Sequence, residues 1–436
     1  MSRQGRRDMG RIYPRSMTAP RQRSRQRFGQ SMRLLIRIKP MTDTALTRSR
    51  HYGLDWLRIG AFGLLIVYHV AMVFSTWDWV IKSPTTYPQL IVPLALLTPW
   101  RLPLLFAVSG YASRKLFDKS GGPRAFVASR NRRLLIPWAF AMVALIPVET
   151  WVRAKIAGYP GGLIHYWLRD YWQVTPTYGP PFPSWEHLWF VVYLWAYTMA
   201  LAGLLAMRGW SPERTTVAAD WLAKGTRLIW APIAVLALAK LAVMFVIPEK
   251  QGLFTDWNAH LLYFPIFLFG FALGGRSTLW PAIARAQPSA IGLAVASGLV
   301  VTLVELAYAG HHMPPHGVMA LDRISRIAMA WSMIVILFQL ADRHLNRDHR
   351  WRAMLAEAVF PLYIAHHPAI ILLAWLTLPW GLDPLAEFAL LLAGTFGFAT
   401  AFYLIGREVA WLRPLIGLAP RSVGRSVPAT PAQGRA

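Results

Sequence analysis

The sequence predicts an all-α, multi-pass membrane protein with about ten transmembrane helices, and its composition favours this fold class. Hydrophobic residues make up 55% of the 436 residues, whereas charged residues make up only 15%. Soluble domains carry about 25% charged residues. The apolar runs are continuous rather than alternating, which argues against a transmembrane β-barrel. Cysteine is absent, so disulfides, thiolate metal sites and acyl-cysteine intermediates are excluded.

Ten apolar segments each approach the roughly twenty residues that a helix needs to cross a bilayer. They span residues 56–75, 89–111, 133–152, 186–207, 228–247, 259–275, 288–309, 324–341, 356–378 and 385–406. The connecting loops alternate in basic content: those at 112–132 and 342–355 are rich in Lys and Arg, whereas those at 76–88 and 379–384 contain almost none. By the positive-inside rule, we expect both termini to be cytoplasmic.

Charge and hydropathy divide the chain into a basic N-terminal extension at 1–50, a transmembrane domain at 51–410 and a basic cytoplasmic tail at 411–436. The extension holds fourteen Lys or Arg against two Asp and has no apolar core. It is therefore expected to be neither a signal peptide nor a folded domain. Either it is a tether for anionic lipid or nucleic acid, or it precedes a natural start at Met41.

The first apolar segment contains two ionisable residues on one face. Arg58 and His69 are eleven positions apart, and eleven helical steps amount to about 1100°, within about 20° of three full turns. They are separated by roughly 16 Å along the helix axis. Such residues usually face a cavity and mark a functional path. The structural alternatives are a cytoplasmic anchor paired with Asp55 for Arg58, and a buried, carbonyl-bonded imidazole for His69.

Five motifs follow one another along the membrane region. They are 'LDWLRIGAFGLLIVYH' (Leu54–His69), 'LPLLFAVSGY' (Leu102–Tyr111), 'RNRRLLIPW' (Arg130–Trp138), 'HLWFVVYL' (His187–Leu194) and 'PLYIAHHP' (Pro361–Pro368). Together they resemble the acyltransferase-3 family of integral membrane proteins. The last two are similar to the branch that includes glucan biosynthesis protein C. The resemblance covers residues 55–410, which is essentially the whole membrane region.

The resemblance implies a ten-helix enzyme of the inner (cytoplasmic) membrane. Such an enzyme moves an acyl group, acetyl or succinyl, from a cytoplasmic coenzyme A thioester to a hydroxyl of an extracytoplasmic glycan or glycolipid. The expected partners are therefore acyl-coenzyme A, this acceptor and the lipid bilayer. Because the thioester supplies the driving force, we expect no metal or redox cofactor, and no nucleic-acid partner is expected.

Four residues are candidates for binding the acyl donor. Arg58 and Arg133 fall on motifs of the family, and a guanidinium presents a planar fork to phosphate oxygens. Arg130 belongs to the same basic cluster, and Ser109 lies beside Gly110, a residue that permits close approach. The structural alternatives are ordinary positive-inside charge for the arginines and a helix–helix contact for Ser109.

Three residues are candidates for the chemical step. His69 is predicted to be the general base that removes the proton of the acceptor hydroxyl. His366, or its neighbour His367, is expected near the middle of the bilayer as a second catalytic or orienting group. Glu186 is expected beside an outward-facing cavity, although helix ends also tolerate charge for purely structural reasons. Arg101 lies within the second segment and needs a partner that the sequence does not identify.

The alternative function is a transporter or flippase that moves a glycan or lipid-linked sugar without covalent chemistry. Ten helices with buried charges suit that class on composition alone. Against it, the sequence shows no internal repeat and no matching pair of Gly- or Pro-broken segments in its two halves. The acyltransferase interpretation is therefore preferred.

Overall fold

The structure is a computed structural model that describes residues 51–207, 212–247, 251–310 and 312–420. Every regular element in these ranges is helical, which confirms the all-α prediction. The helices are α1 (Tyr52–Phe74), α2 (Ile91–Lys119), α3 (Pro123–Ala144), α4 (Ile146–Ile156), α5 (Trp189–Ala206), α6 (Pro212–Leu222), α7 (Arg227–Val243), α8 (Trp257–Gly275), α9 (Leu279–Ala307), α10 (His316–His344), α11 (Arg352–Thr377) and α12 (Pro384–Glu408). The predicted N-terminal extension and residues 421–436 of the predicted tail lie outside the described residues.

Within the described ranges, nine helical spans are long and apolar enough to cross a membrane, with α3 and α4 together forming one of them. The chain is therefore a multi-pass membrane protein. The predicted segment at 228–247 corresponds to α7, which has only seventeen residues because the helix ends at Val243. That length is at the lower limit for a transmembrane helix.

The predicted loop at 112–132 is mostly helical. Helix α2 continues to Lys119 and α3 begins at Pro123, so that three residues connect them. Hydropathy marks only the part of a helix that lies in lipid, whereas backbone hydrogen bonds extend the same helix into the polar region. As a result, Arg130 and Arg133 share a rigid helix with the apolar residues that follow them.

Helices α2 and α8 are in close contact at two glycines. A Cβ atom added to Gly110 would overlap the carbonyl oxygen of Phe267, and one added to Gly270 would overlap the carbonyl oxygen of Ala107. Small residues at such a crossing let two backbones approach. This contact fixes the position of α2, which also packs against α1, α9 and α10.

Substituting Gly270 by alanine is expected to lower the free energy of unfolding by about 3 kcal/mol, the upper end of the usual cost of overpacking, because backbone atoms cannot yield as a flexible side chain can. Thermal unfolding of the purified protein in detergent measures the effect. The matched control is Gly63→Ala in α1, where nothing lies within 4 Å of the added Cβ. Equal melting temperatures for the two variants would contradict the close crossing.

Candidate active site

Two cavities lie in the helical bundle and share two lining residues, Phe190 and Tyr363. The first, here called the histidine cavity, has a volume of about 270 Å³. Its polar lining comes from His69, Arg101, Arg153, Glu186, His187, Gln251 and His367. The second, here called the arginine cavity, has a volume of about 210 Å³. Its polar lining includes Arg58, Ser109, Arg130, Arg133 and Glu357.

Helix α1 runs past both cavities. Arg58 lines the arginine cavity and His69 lines the histidine cavity, as expected for residues three helical turns apart on one face. The cavities therefore follow one another along α1, with Phe190 and Tyr363 between them. A long, extended molecule could therefore occupy both cavities at once.

The hydrogen bonds of His69 define which of its nitrogens can act as a base. Nδ1 of His366 lies 2.6 Å from the backbone oxygen of Tyr363, and because a carbonyl only accepts, this nitrogen carries the proton. In the neutral pair, Nε2 of His366 therefore accepts from Nδ1 of His69, at a distance of 3.1 Å. Among the described residues, no hydrogen bond uses the lone pair on Nε2 of His69, as a general base requires.

A segment after α1 covers the imidazole of His69. Trp79 stacks on this ring, with centroids 6.1 Å apart and planes inclined by 13°. The ammonium group of Lys82 holds the segment in place by donating to the backbone oxygens of Met72 at 2.7 Å and Trp77 at 2.9 Å. Lys82 thus supplies hydrogen bonds to backbone carbonyls at the end of α1, which have no partner within the helix. Burial lowers the pKa of its ammonium group.

A second buried cluster adjoins His69. Nδ1 of His367 lies 3.0 Å from Oε1 of Glu149, and Nδ1 of His187 lies 3.6 Å from Oε2 of the same carboxylate. Glu149 comes from α4, His187 from the turn before α5, and His367 from α11. The ring of His367 is perpendicular to that of His69, with centroids 5.0 Å apart. The cluster brings together the donor types that bind transition metals.

Glu186 is held at the edge of the histidine cavity by two contacts. Its carboxylate accepts from Nη2 of Arg153 and from the hydroxyl of Ser184, both at 2.7 Å. Its backbone φ is 43°, a left-handed conformation that non-glycine residues rarely adopt. The carboxylate is therefore fixed beside the cavity. Its partner, Arg153, was not among the residues that the sequence predicted for the site.

Arg101 is a buried guanidinium in the wall of the histidine cavity. Only 5% of the residue is exposed, and the guanidinium carbon lies 3.4 Å from the centre of the Tyr68 ring. Within the described residues, its Nε and Nη1 atoms make no hydrogen bond. An unsatisfied buried cation is costly, and a guanidinium in the wall of this cavity suits a negatively charged ligand atom.

The arginine cavity concentrates positive charge. Nη2 of Arg58 donates to the backbone oxygen of Ala356 at 2.8 Å. Arg130 donates to the hydroxyl of Ser113, and Arg133 is exposed on the same helix. Ser109 lines the same cavity. Three guanidinium groups at one cavity form a suitable receptor for phosphate groups.

The structure therefore groups the predicted site residues into two sets. His69 is hydrogen-bonded to His366 and lines the same cavity as Glu186, whereas the four predicted donor-binding residues line the other cavity. The catalytic and binding roles of both sets stay predictions. Sequence reasoning missed Arg153 and Tyr363, because an arginine at a helix end and a tyrosine in an apolar run are ordinary features of membrane proteins.

The chain resembles known proteins along most of its length. Residues 51–404 match the sequence profile of the acyltransferase-3 family, which is described as an acyltransferase domain. Proteins named Glucans biosynthesis protein C from Salmonella heidelberg (strain SL476) and Salmonella gallinarum (strain 287/91 / NCTC 13346) are 24% identical over 386 residues, which cover 85% of this chain and 95% of each relative. No solved structure gives a significant match.

Proposed function

This chain belongs to the acyltransferase-3 family of membrane acyltransferases, and on that premise we propose that it transfers an acetyl or succinyl group from coenzyme A to a hydroxyl of an extracytoplasmic glycan or glycolipid. The observation that carries the proposal is the pair of cavities along α1. One is lined by arginines, the other contains a histidine with a free lone pair, and both adjoin Phe190 and Tyr363.

The arginine cavity suits the acyl donor. Coenzyme A carries several phosphates on a nucleotide and a reactive thioester at the end of a long arm. With the phosphates near Arg58 and Arg133, the arm would pass between Phe190 and Tyr363 and present the thioester to the histidine cavity. Arg58 and His69 are roughly 16 Å apart along α1, so an extended arm is required.

The chemical step follows from the groups in the histidine cavity. Nε2 of His69 takes the proton of the acceptor hydroxyl, and the oxygen attacks the thioester carbonyl carbon. The donors of Arg101 stabilise the negative charge on the carbonyl oxygen. As the new carbon–oxygen bond forms, the carbon–sulfur bond breaks, and the protonated His69 returns its proton to the thiolate of coenzyme A. The products are the acylated acceptor and free thiol.

The orientation of the chain would place the acyl donor and the acceptor on opposite sides of the membrane. Basic residues are concentrated at the end of the bundle that contains the arginine cavity, with Arg114, Lys115, Arg130 and Arg133 on α2 and α3. By the positive-inside rule we infer that this end of the bundle faces the cytoplasm. The donor would then enter from the cytoplasm and the acceptor from the other side of an inner membrane.

The proposal is tested with purified protein in detergent, supplied with acetyl- or succinyl-coenzyme A in the presence and absence of extracted envelope glycans. Free thiol is followed continuously, and the glycan is analysed for ester groups by mass spectrometry. We expect thiol release that depends on glycan and that equals the ester formed. Negligible release with every donor and glycan would contradict the proposed substrates and favour glycan transport.

Substituting Arg133 by methionine is expected to weaken donor binding about tenfold, because a charge-assisted hydrogen bond to phosphate contributes about 1.5 kcal/mol. Calorimetric titration with acetyl-coenzyme A measures the dissociation constant. Arg124→Met is the matched control, since Arg124 is exposed on the same helix and does not line the cavity. With acetyl-pantetheine, which has no phosphate, KM should be the same in all three proteins. An unchanged dissociation constant in Arg133→Met would exclude this residue from the donor site.

A further inference from the structure

The cluster of Glu149, His187 and His367 is almost completely enclosed. The side chains of Glu149, His187 and His367 are 0%, 4% and 7% exposed, respectively. They come from three separate elements that converge at the histidine cavity. Tyr363 fixes part of this arrangement, because its hydroxyl donates to the backbone oxygen of His187.

The polar atoms of the cluster lie close together without forming hydrogen bonds of good geometry. Within the described residues, both oxygens of Glu149, both ring nitrogens of His187 and Nδ1 of His367 have no hydrogen-bond partner, although the atoms are only 3.0 to 3.6 Å apart. A buried carboxylate without well-directed hydrogen bonds carries a large desolvation cost.

The spacing of the atoms fits ligands of a common metal ion. One carboxylate oxygen and one nitrogen from each histidine lie within 4.8 Å of one another. Ligands at about 2.0–2.1 Å from a tetrahedral zinc ion are separated by roughly 3.3 Å. The nitrogens of His367 and His187 lie 3.0 and 3.6 Å from the carboxylate of Glu149, each nearest to a different oxygen. Two histidines and one glutamate also form the ligand set of catalytic zinc sites, which keep a fourth position open.

We propose that Glu149, His187 and His367 bind one divalent transition-metal ion, with zinc favoured by the ligand set. The charge of the ion would offset that of the buried carboxylate. Because His187 and His367 line the histidine cavity, the fourth position would face this cavity and accept water or a substrate oxygen beside His69. The nearby cation Arg153 is already paired with Glu186. This inference departs from our sequence-based expectation of a site without metal.

Metal content is measured on full-length protein purified through a tag without histidines, stripped with a chelator, reloaded with Zn²⁺ and dialysed. We expect one zinc ion per chain in the wild type and in His69→Gln, and a loss of at least tenfold in Glu149→Gln and His367→Gln. His316→Gln, at the beginning of α10, is the control for adventitious binding. Equal, substoichiometric zinc in the wild type and in Glu149→Gln would overturn the proposal. The assay contains no substrate, so its result is independent of the proposed function.

A cysteine variant loaded with Co²⁺ tests the same site by absorption spectroscopy. It is needed because a substitution that prevents folding would also abolish zinc binding. The chain contains no cysteine, so His367→Cys introduces a single thiolate. After loading with Co²⁺, this variant is expected to show a thiolate-to-cobalt absorption band in the near ultraviolet. It should also melt at a higher temperature than the same variant without metal. His316→Cys should show neither. If a folded His367→Cys protein gives no band, its thiolate does not ligate an ion and the proposed site is wrong.

Discussion

Replacing His69 by glutamine is expected to lower the rate of acyl transfer by about 10²–10⁴-fold, the usual contribution of a general base. Glutamine keeps a hydrogen-bonding side chain of similar length but cannot accept a proton at neutral pH. Donor affinity should remain unchanged, because Arg58, at the phosphate end of the proposed donor site, lies roughly 16 Å from His69 along α1. Initial rates of thiol release and calorimetric titration with acetyl-coenzyme A separate the two quantities.

The control for His69→Gln is His344→Gln, which alters an exposed histidine at the end of α10. It should retain the full rate. His366→Gln is expected to lose less activity than His69→Gln, because His366 sets the proton position on His69 through the 3.1 Å contact and is itself completely buried. A His69→Gln enzyme with undiminished glycan-dependent release would refute the assignment of the base.

Arg101→Met is expected to reduce kcat by about 10²–10³-fold, the effect of removing one donor from an oxyanion site. The negative charge on the thioester oxygen exists only in the transition state, so kcat and kcat/KM should fall together while the donor affinity is kept. Arg101 lines the histidine cavity, and two of its nitrogens make no hydrogen bond within the described residues. Steady-state kinetics with varied donor and saturating glycan provides the measurement.

Two further variants distinguish a catalytic effect of Arg101 from a loss of fold. Arg101→Lys keeps the positive charge against the Tyr68 ring, which lies 3.4 Å from the present guanidinium, and should recover part of kcat. Arg169→Met removes an exposed arginine from the segment after α4 and should change nothing. If Arg101→Met melts at the wild-type temperature and turns over at the wild-type rate, the oxyanion is stabilised by other groups.

Helical periodicity explains why the first half of the site was predictable from sequence. Arg58 and His69 share one helix, and their common face follows from local geometry alone. The motif around Arg133 likewise indicated a basic cluster, because its arginines are neighbours in the chain. The sequence also indicated the all-α membrane fold, since the length and continuity of apolar segments are properties of single segments.

Only the tertiary structure decided which helix faces meet. The sequence did not choose between His366 and His367 as the neighbour of His69, and the structure gives them different tasks: His366 is hydrogen-bonded to His69, whereas His367 contacts Glu149. Adjacent helical residues point about 100° apart, so each contacts a different helix.

The sequence by itself thus determined the fold class and the residues that single helices align, because these depend on interactions between chain neighbours. The tertiary structure determined the two cavities, the environment of Arg101 and the convergence of Glu149, His187 and His367. These features depend on side-chain packing between helices, including the close crossing of Gly110 and Gly270. Apolar periodicity indicates which face of a helix is buried, but many arrangements of neighbouring helices bury that face equally well.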